Sequence, residues 1–203
     1  MLLRGQPSFF AVVCTLFCCH ARAALPPIDP TRLVADARAQ IGVTTSYDPT
    51  YRRLAYPNGD VPADKGVCTD VVVRALRKQS ADLQQLVHED MRVRFAKYPK
   101  LWGLKAPDKN IDHRRVPNLC TYFSHAGKEV PVTRSAADYA PGDVVAWELT
   151  PAGATTPHIG IVSDKRSPEG IPLIIHNIGS GVREEDVLFK FKITGHFRLG
   201  PAK

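Results

Sequence analysis

Long apolar runs are almost missing from this 203-residue chain. The one present, Phe9 to Cys19, is too short to span a bilayer, and no later segment is long and apolar enough to try. Cys-x-x-Cys and His-Glu-x-x-His spacings are missing as well, so neither a required metal nor a cofactor is expected. Basic residues are spread among acidic ones and form no basic–aromatic array, which argues against nucleic acid as a partner. No internal repeat or low-complexity tract occurs. Cysteine is scarce: of five, Cys14, Cys18 and Cys19 fall in the N-terminal run, leaving Cys68 and Cys120.

Arg4, the apolar run and the small-x-small signal Ala21-Arg22-Ala23 form the layout of a secretory signal peptide. Val13 before Cys14 and Phe17 before Cys18 are bulkier than the small residue that lipoprotein processing needs. Residues 1–23 are therefore read as a leader cleaved after Ala23. Residues 24–203 are read as one soluble, monomeric domain without a transmembrane segment, exported across the inner membrane to the periplasm. Losing Arg4 and Arg22 and no acids lowers the formal charge from +7 to +5. A mild positive balance suits work near an anionic envelope. In an oxidising compartment, a Cys68–Cys120 disulfide competes with any chemical role for Cys68.

Along the mature chain, helical periods come first. Asp29 caps and Pro30 opens a helix carrying Leu33, Val34, Ala37 and Ile41 and ending at Gly42. Residues 43–65 read as loop, with tyrosines at 47, 51 and 56. Leu83, Leu86, Val87, Met91 and Phe95 mark a second amphipathic helix, and Pro117 to His125 a short one closed by Gly127. Beyond Val130 the period changes to that of strands: Val144–Trp147 after the turn Pro141-Gly142-Asp143, then Pro157–Val162, Leu173–Ile178, and a last one around Phe189–Phe197. Helices followed by an antiparallel sheet make an α+β chain.

Between the first two helices lies Gly66-Val67-Cys68-Thr69-Asp70-Val71-Val72-Val73-Arg74-Ala75-Leu76-Arg77. Val71, Val72, Ala75 and Leu76 follow Cys68 at helical spacing, so the thiol sits in a first turn above the buried face. Asp64 or Gly66 can cap it, and Asp70 and Arg74 can pair at i, i+4 on the wet side. The positive end of the helix dipole is expected to lower the thiol pKa. A lone cysteine on an apolar helix face is otherwise an ordinary core residue.

Cysteine hydrolysis also needs an imidazole and a group that orients it. His158 opens a strand, and Gly160 follows on the same face, where a missing side chain leaves room for a substrate or helix. His176 lies near the end of the next strand. A pairing whose two residue numbers add to an even value puts His176 on His158's face; an odd one puts Asn177 there. Asp143 reads as a turn residue. Asp112, His113, Arg114 and Arg115 either grip a carboxylate or form a salt-bridged loop. His88-Glu89-Asp90 diverge around a helix axis and read as a solvated or structural face.

Val67-Cys68-Thr69-Asp70 opening a helix, Pro141-Gly142-Asp143-Val144-Val145-Ala146-Trp147 and His158-Ile159-Gly160-Ile161-Val162 together resemble the NlpC-type cell-wall cysteine peptidases of the papain-like superfamily. More closely, Tyr47 to Arg198 resembles the envelope family catalogued as domain-of-unknown-function 1287. Gly66–Asp70, Val87–Met91, Asn110–Asn118, His158–Asp164 and Gly195–Arg198 carry that likeness. The resemblance implies a papain-like fold in which the nucleophile helix packs on a C-terminal antiparallel sheet. It implies Cys68 as nucleophile, His158 as general base and His176 as orienting residue, with Asn177 the alternative third member, and an upstream tyrosine, Tyr56, lining the site. Arg114 and Arg115 are the candidate substrate-binding cations. Val-Cys-Thr-Asp stands where NlpC-type enzymes usually have Asp-Cys-Ser-Gly, so the pocket beside the nucleophile differs.

The expected function is an exported cysteine hydrolase that cleaves amide bonds in peptidoglycan peptides or another envelope substrate. A thiol acyltransferase or lipid amidase of the same fold, and a non-catalytic envelope-binding module, are the alternatives. N-terminal sequencing of the exported protein should begin at Ala24, and a start at Met1 would refute the leader. Thiol titration of the denatured, non-reduced mature protein should find both cysteines free.

Overall fold

The computed structural model describes residues 24–150 and 156–200. The leader expected over 1–23 lies outside the described residues. Helix α1 (Pro30–Arg38) opens where Asp29 accepts from the N–H groups of Thr31 and Arg32 at 2.9 and 3.2 Å, with Pro30 in the first position. It ends at Arg38, short of Gly42, because the N–H groups of Gln40 and Ile41 turn back three residues, to Ala37 and Arg38. Ile41 is consequently exposed rather than part of the buried stripe.

The stretch read as loop contains a short parallel pair, β1 (Ser46–Tyr47) and β2 (Lys65–Gly66), too brief to show a period. Helices α2 (Cys68–Arg77) and α3 (Leu83–Arg94) follow, then α4 (Val116–His125), close to the spans the periodicity predicts. Strands β3 (Val144–Glu148), β4 (Pro157–Arg166), β5 (Pro172–Asn177), β6 (Val182–Glu185) and β7 (Lys192–Phe197) form one antiparallel sheet in the order β6-β5-β4-β3-β7. Helices first and an antiparallel sheet after them is the expected α+β arrangement.

The sheet is buried on both faces. On one, Val144, Ala146, Ile159, Ile161 and Ile175 pack with Val71, Val72 and Leu76 of α2 and with Leu33 and Val34 of α1. On the other, Val145, Trp147, Val162 and Ile174 are covered by Tyr139 and by Val187 and Leu188, and the Trp147 indole N–H donates to the Leu188 carbonyl at 2.9 Å. Each large aliphatic buried here contributes on the order of 2 kcal/mol. Asp143 is the turn residue expected of it: it accepts from the Ala140 N–H at 2.9 Å and holds His196 and Arg198 at the end of β7.

The β4–β5 register decides what the strands present. Ile161 faces Ile175 and Val162 faces Ile174, so Gly160 lies opposite His176, and His158 and His176 share a face. Gly160 makes room for this neighbour rather than for a substrate or helix: a Cβ there would sit 2.7 Å from Ile174 Cγ2 and 3.0 Å from His176 Cβ. Gly160→Ala should therefore overpack this spot and lower stability by about 1–3 kcal/mol, measured by urea unfolding. Unchanged stability would count against the packing described.

Candidate functional site

Cys68 is the first residue of α2. Its N-cap is Val67, whose side chain offers no acceptor, so neither Asp64 nor Gly66 plays the capping part. Instead the Asp70 carboxylate reaches back and accepts the Val67 N–H at 2.7 Å. Asp70 is not on the wet side and does not pair with Arg74. Arg114 holds it through Nε at 3.0 Å and Nη2 at 2.9 Å, with side-chain exposures of 2% for Arg114 and 4% for Asp70. Arg74 goes to Asp60, to Thr44 Oγ1 and to the carbonyls of Val61, Pro62 and Lys65.

The Cys68 thiol is 3% exposed and forms part of a cleft of about 450 Å³. Tyr47, Tyr51, Trp102, Arg114, Arg115 and Pro157 are among the other walls. Contrary to the expectation from the helix dipole, the thiol pKa is raised, to about 11. Burial is the main cause, and the Asp70 carboxylate adds to it; N–H groups of Ile159 and Thr69 and the Tyr47 hydroxyl at the sulfur pull the other way. Cys68 and Cys120 are both free thiols, so the competing disulfide is not formed. Cys120 sits on α4, its thiol pushed up to about 12 by burial.

Pro157 forms cleft wall and the Ile159 N–H meets the sulfur, but the structure does not bring the expected base to the thiol. His158 is not among the cleft walls, and its side chain, alternating with Ile159, lies on the Trp147 face of the sheet rather than the face packed on α2. Its Nε2 lies 2.7 Å from His176 Nδ1, and His176 Nε2 lies 3.2 Å from Glu185 Oε2. Both rings are buried, at 3% and 1% exposure. Burial first, and then His176, pushes the His158 imidazole down to about 3, and burial lowers His176 as well. Trp147 backs the His158 ring with centroids 6.0 Å apart. Asn177 takes the other face: its amide donates to the carbonyls of Ser46 and Gly66 at 3.3 and 3.1 Å, fastening β5 to the small β1–β2 pair.

Two expected binding residues are placed otherwise. Tyr56 lies outside the cleft walls, its ring 5.4 Å from that of His88 and 5.2 Å from the Lys109 ammonium. The tyrosine at the sulfur is Tyr47; among tyrosines at 47, 51 and 56, spacing gave no means to choose. Arg114 does line the cleft, but its donors are engaged by Asp70 and by the carbonyls of Asp48 and Thr50 at 3.0 and 3.3 Å. Arg115 also lines the cleft. Its guanidinium stacks 4.2 Å over Trp102, and its Nη1, buried and without a hydrogen bond, lies 3.6 Å from Asp112 Oδ1. Among the described residues no group of three or more His, Cys, Asp or Glu side chains is placed to hold a metal ion.

The family described as Domain of unknown function (DUF1287) matches residues 34–199, from within α1 to beyond β7. The chain belongs to this family. It is 57% identical over 166 residues to "Uncharacterized protein YijF" of Escherichia coli (strain K12), a match covering 81% of this chain and 80% of that protein. Among solved structures it is similar to "Structure of NlpC1 from Trichomonas vaginalis", with a TM-score of 0.43 and 13% identity over 84% of this chain. The chain spans 44% of the length of that structure. The expected membership in the DUF1287 family is thereby met.

With its thiol held near pKa 11, the resting DUF1287 site should contain a neutral thiol and a neutral imidazole. Only thiolate is alkylated, so Cys68 alkylation by iodoacetamide should rise roughly tenfold per pH unit between about pH 7 and 10. A rate already flat above pH 7 would reveal a preformed thiolate–imidazolium pair instead.

Proposed function

We propose that this protein is an exported, papain-like cysteine hydrolase that acts in the periplasm on amide bonds of peptidoglycan peptides. The observation that supports the reading is the Cys68 thiol at the start of α2 on an open cleft, against the Ile159 N–H, with the hydrogen-bonded pair His158–His176 beginning at the preceding residue of β4. Cys68 is the nucleophile. The mechanism requires the imidazole of His158 to come round the start of β4 to the sulfur, where it takes the thiol proton as the sulfur attacks the substrate carbonyl carbon. His176 orients that ring, as a third group does in other nucleophile–base sites. The Cys68 backbone N–H at the helix start, and the Tyr47 hydroxyl, are placed to stabilise the oxyanion. His158 then gives its proton to the leaving amine, and water releases the acyl group.

A neutral resting pair suits this sequence of events. Burial disfavours both thiolate and imidazolium until negative charge develops on the substrate oxygen beside them. In the cleft, Arg115 supports an acidic peptide as substrate, because a guanidinium on the wall matches the geometry of a free carboxylate. Peptidoglycan stem peptides carry such carboxylates.

Mass spectrometry of cell-wall digests compares wild type with Cys68→Ala. Wild type should release cleaved peptides, and the variant should lose activity by on the order of a thousandfold. A variant that digests as well as wild type overturns the mechanism. Acyl transfer to an added amine or lipid, with muropeptides untouched, would move the substrate to the acyltransferase reading.

A further inference from the structure

Glu185 stands at the far end of the histidine series, on the sheet's edge strand β6. In the β5–β6 register Ile174 faces Glu184's successor: Ile174 pairs with Glu185 and His176 with Arg183, so the Glu185 side chain reaches His176 on the diagonal. Its neighbour cannot substitute, because Glu184 is taken by Arg38 at 2.7 Å, by Lys165 at 3.0 Å and by Ser163. Arg183 Nη1 lies 3.9 Å from the other Glu185 oxygen.

We propose that Glu185 is a positioning residue that sets the tautomers of both histidines and so decides which nitrogen of His158 carries the free lone pair. The role presupposes Cys68 and His158 as nucleophile and base. A carboxylate only accepts hydrogen bonds, so His176 Nε2 carries the proton that faces Glu185. Burial keeps His176 neutral, and its Nδ1 then offers a lone pair. His158 Nε2, 2.7 Å away, must donate to it. In a neutral His158 the remaining lone pair is on Nδ1, which makes no hydrogen bond among the described residues. That is the nitrogen a base needs. When the S–H bond breaks, its proton goes to Nδ1, while the Nε2–H bond to His176 is retained and strengthened by the new positive charge.

Reversing any link reverses the outcome. If His176 carried its proton on Nδ1, it would donate to His158 Nε2, and a neutral His158 would carry its own proton on Nδ1 and have no free lone pair. Such a ring cannot act as base. Among the described residues Glu185 is the one acceptor on Nε2 of His176, and it therefore selects the productive arrangement.

Histidine side-chain nitrogen NMR on labelled full-length mature protein tests this, with rings assigned through His158→Gln and His176→Gln. Both rings of the wild type should be neutral Nε2–H tautomers. Glu185→Leu should release His176 from that form and raise the Nδ1–H share of His158. Glu185→Gln keeps an acceptor oxygen and should preserve the wild-type pattern. Muropeptide cleavage should fall by about tenfold to a hundredfold in the leucine variant and stay within about threefold in the glutamine one. A wild-type His158 found as Nδ1–H, or a leucine variant with both tautomers unchanged, overturns the role. The wild-type spectrum alone decides should the leucine variant fail to fold. If tautomers shift as expected while wild type cleaves no muropeptide, the relay stands and the hydrolase reading falls.

Discussion

The carboxylate of Asp70 and the guanidinium of Arg114 meet almost out of contact with water, and the cleft is arranged around that meeting. A lone buried charge costs several kcal/mol, and a buried pair is tolerable only when its remaining donors and acceptors find partners. Here they do. Asp70 also accepts the Val67 N–H, and Arg114 also donates to Asp48 and Thr50. Three segments distant in the chain are thus joined: the start of α2 with its cysteine, the stretch after Tyr47, and the turn that leads into α4. The pair is a clamp on the cleft rather than a grip on a ligand.

That clamp also shapes the chemistry. An acidic group two residues from the sulfur opposes ionisation of the thiol, and burial opposes it more strongly. The same burial keeps His158 uncharged. Thiol and imidazole are both held in the form that stores no charge, in a site whose charged partners are already mutually satisfied. For the proposed hydrolase, reactivity then depends on where the ring's lone pair points, which is a matter of hydrogen-bond direction and not of acidity.

Periodicity made the large elements legible. The stripe after Cys68 placed the thiol in the first turn of α2, and the switch to alternating apolar residues marked four of the five sheet strands. The even register that brings His176 to His158 was one of two outcomes that the residue numbering allowed. What stayed hidden was tertiary. Asp70 and Arg74 have ideal helical spacing, yet an arginine 44 positions away takes the aspartate because a buried fork outcompetes a solvated pair. Two-residue strands carry no period, so nothing marked Tyr47 over Tyr56. Val182–Glu185 is too short and too charged to mark any element, and its pairing with β5 is what brings Glu185 to His176.

The residues of the cleft and of the histidine series are scattered along the polypeptide: Tyr47, Cys68, Arg114, His158, His176 and Glu185, on elements that the sheet and the first two helices must bring together. Contacts so remote in sequence form late in folding, because loop closure must precede them. A chain still in an extended or half-collapsed state therefore carries a plain cysteine and scattered histidines, with no neighbour to draw off a proton in a fixed direction. On the proposed function, newly made copies stay inert towards amides until edge strand β6 docks, and a damaged copy that frays at that edge falls silent first.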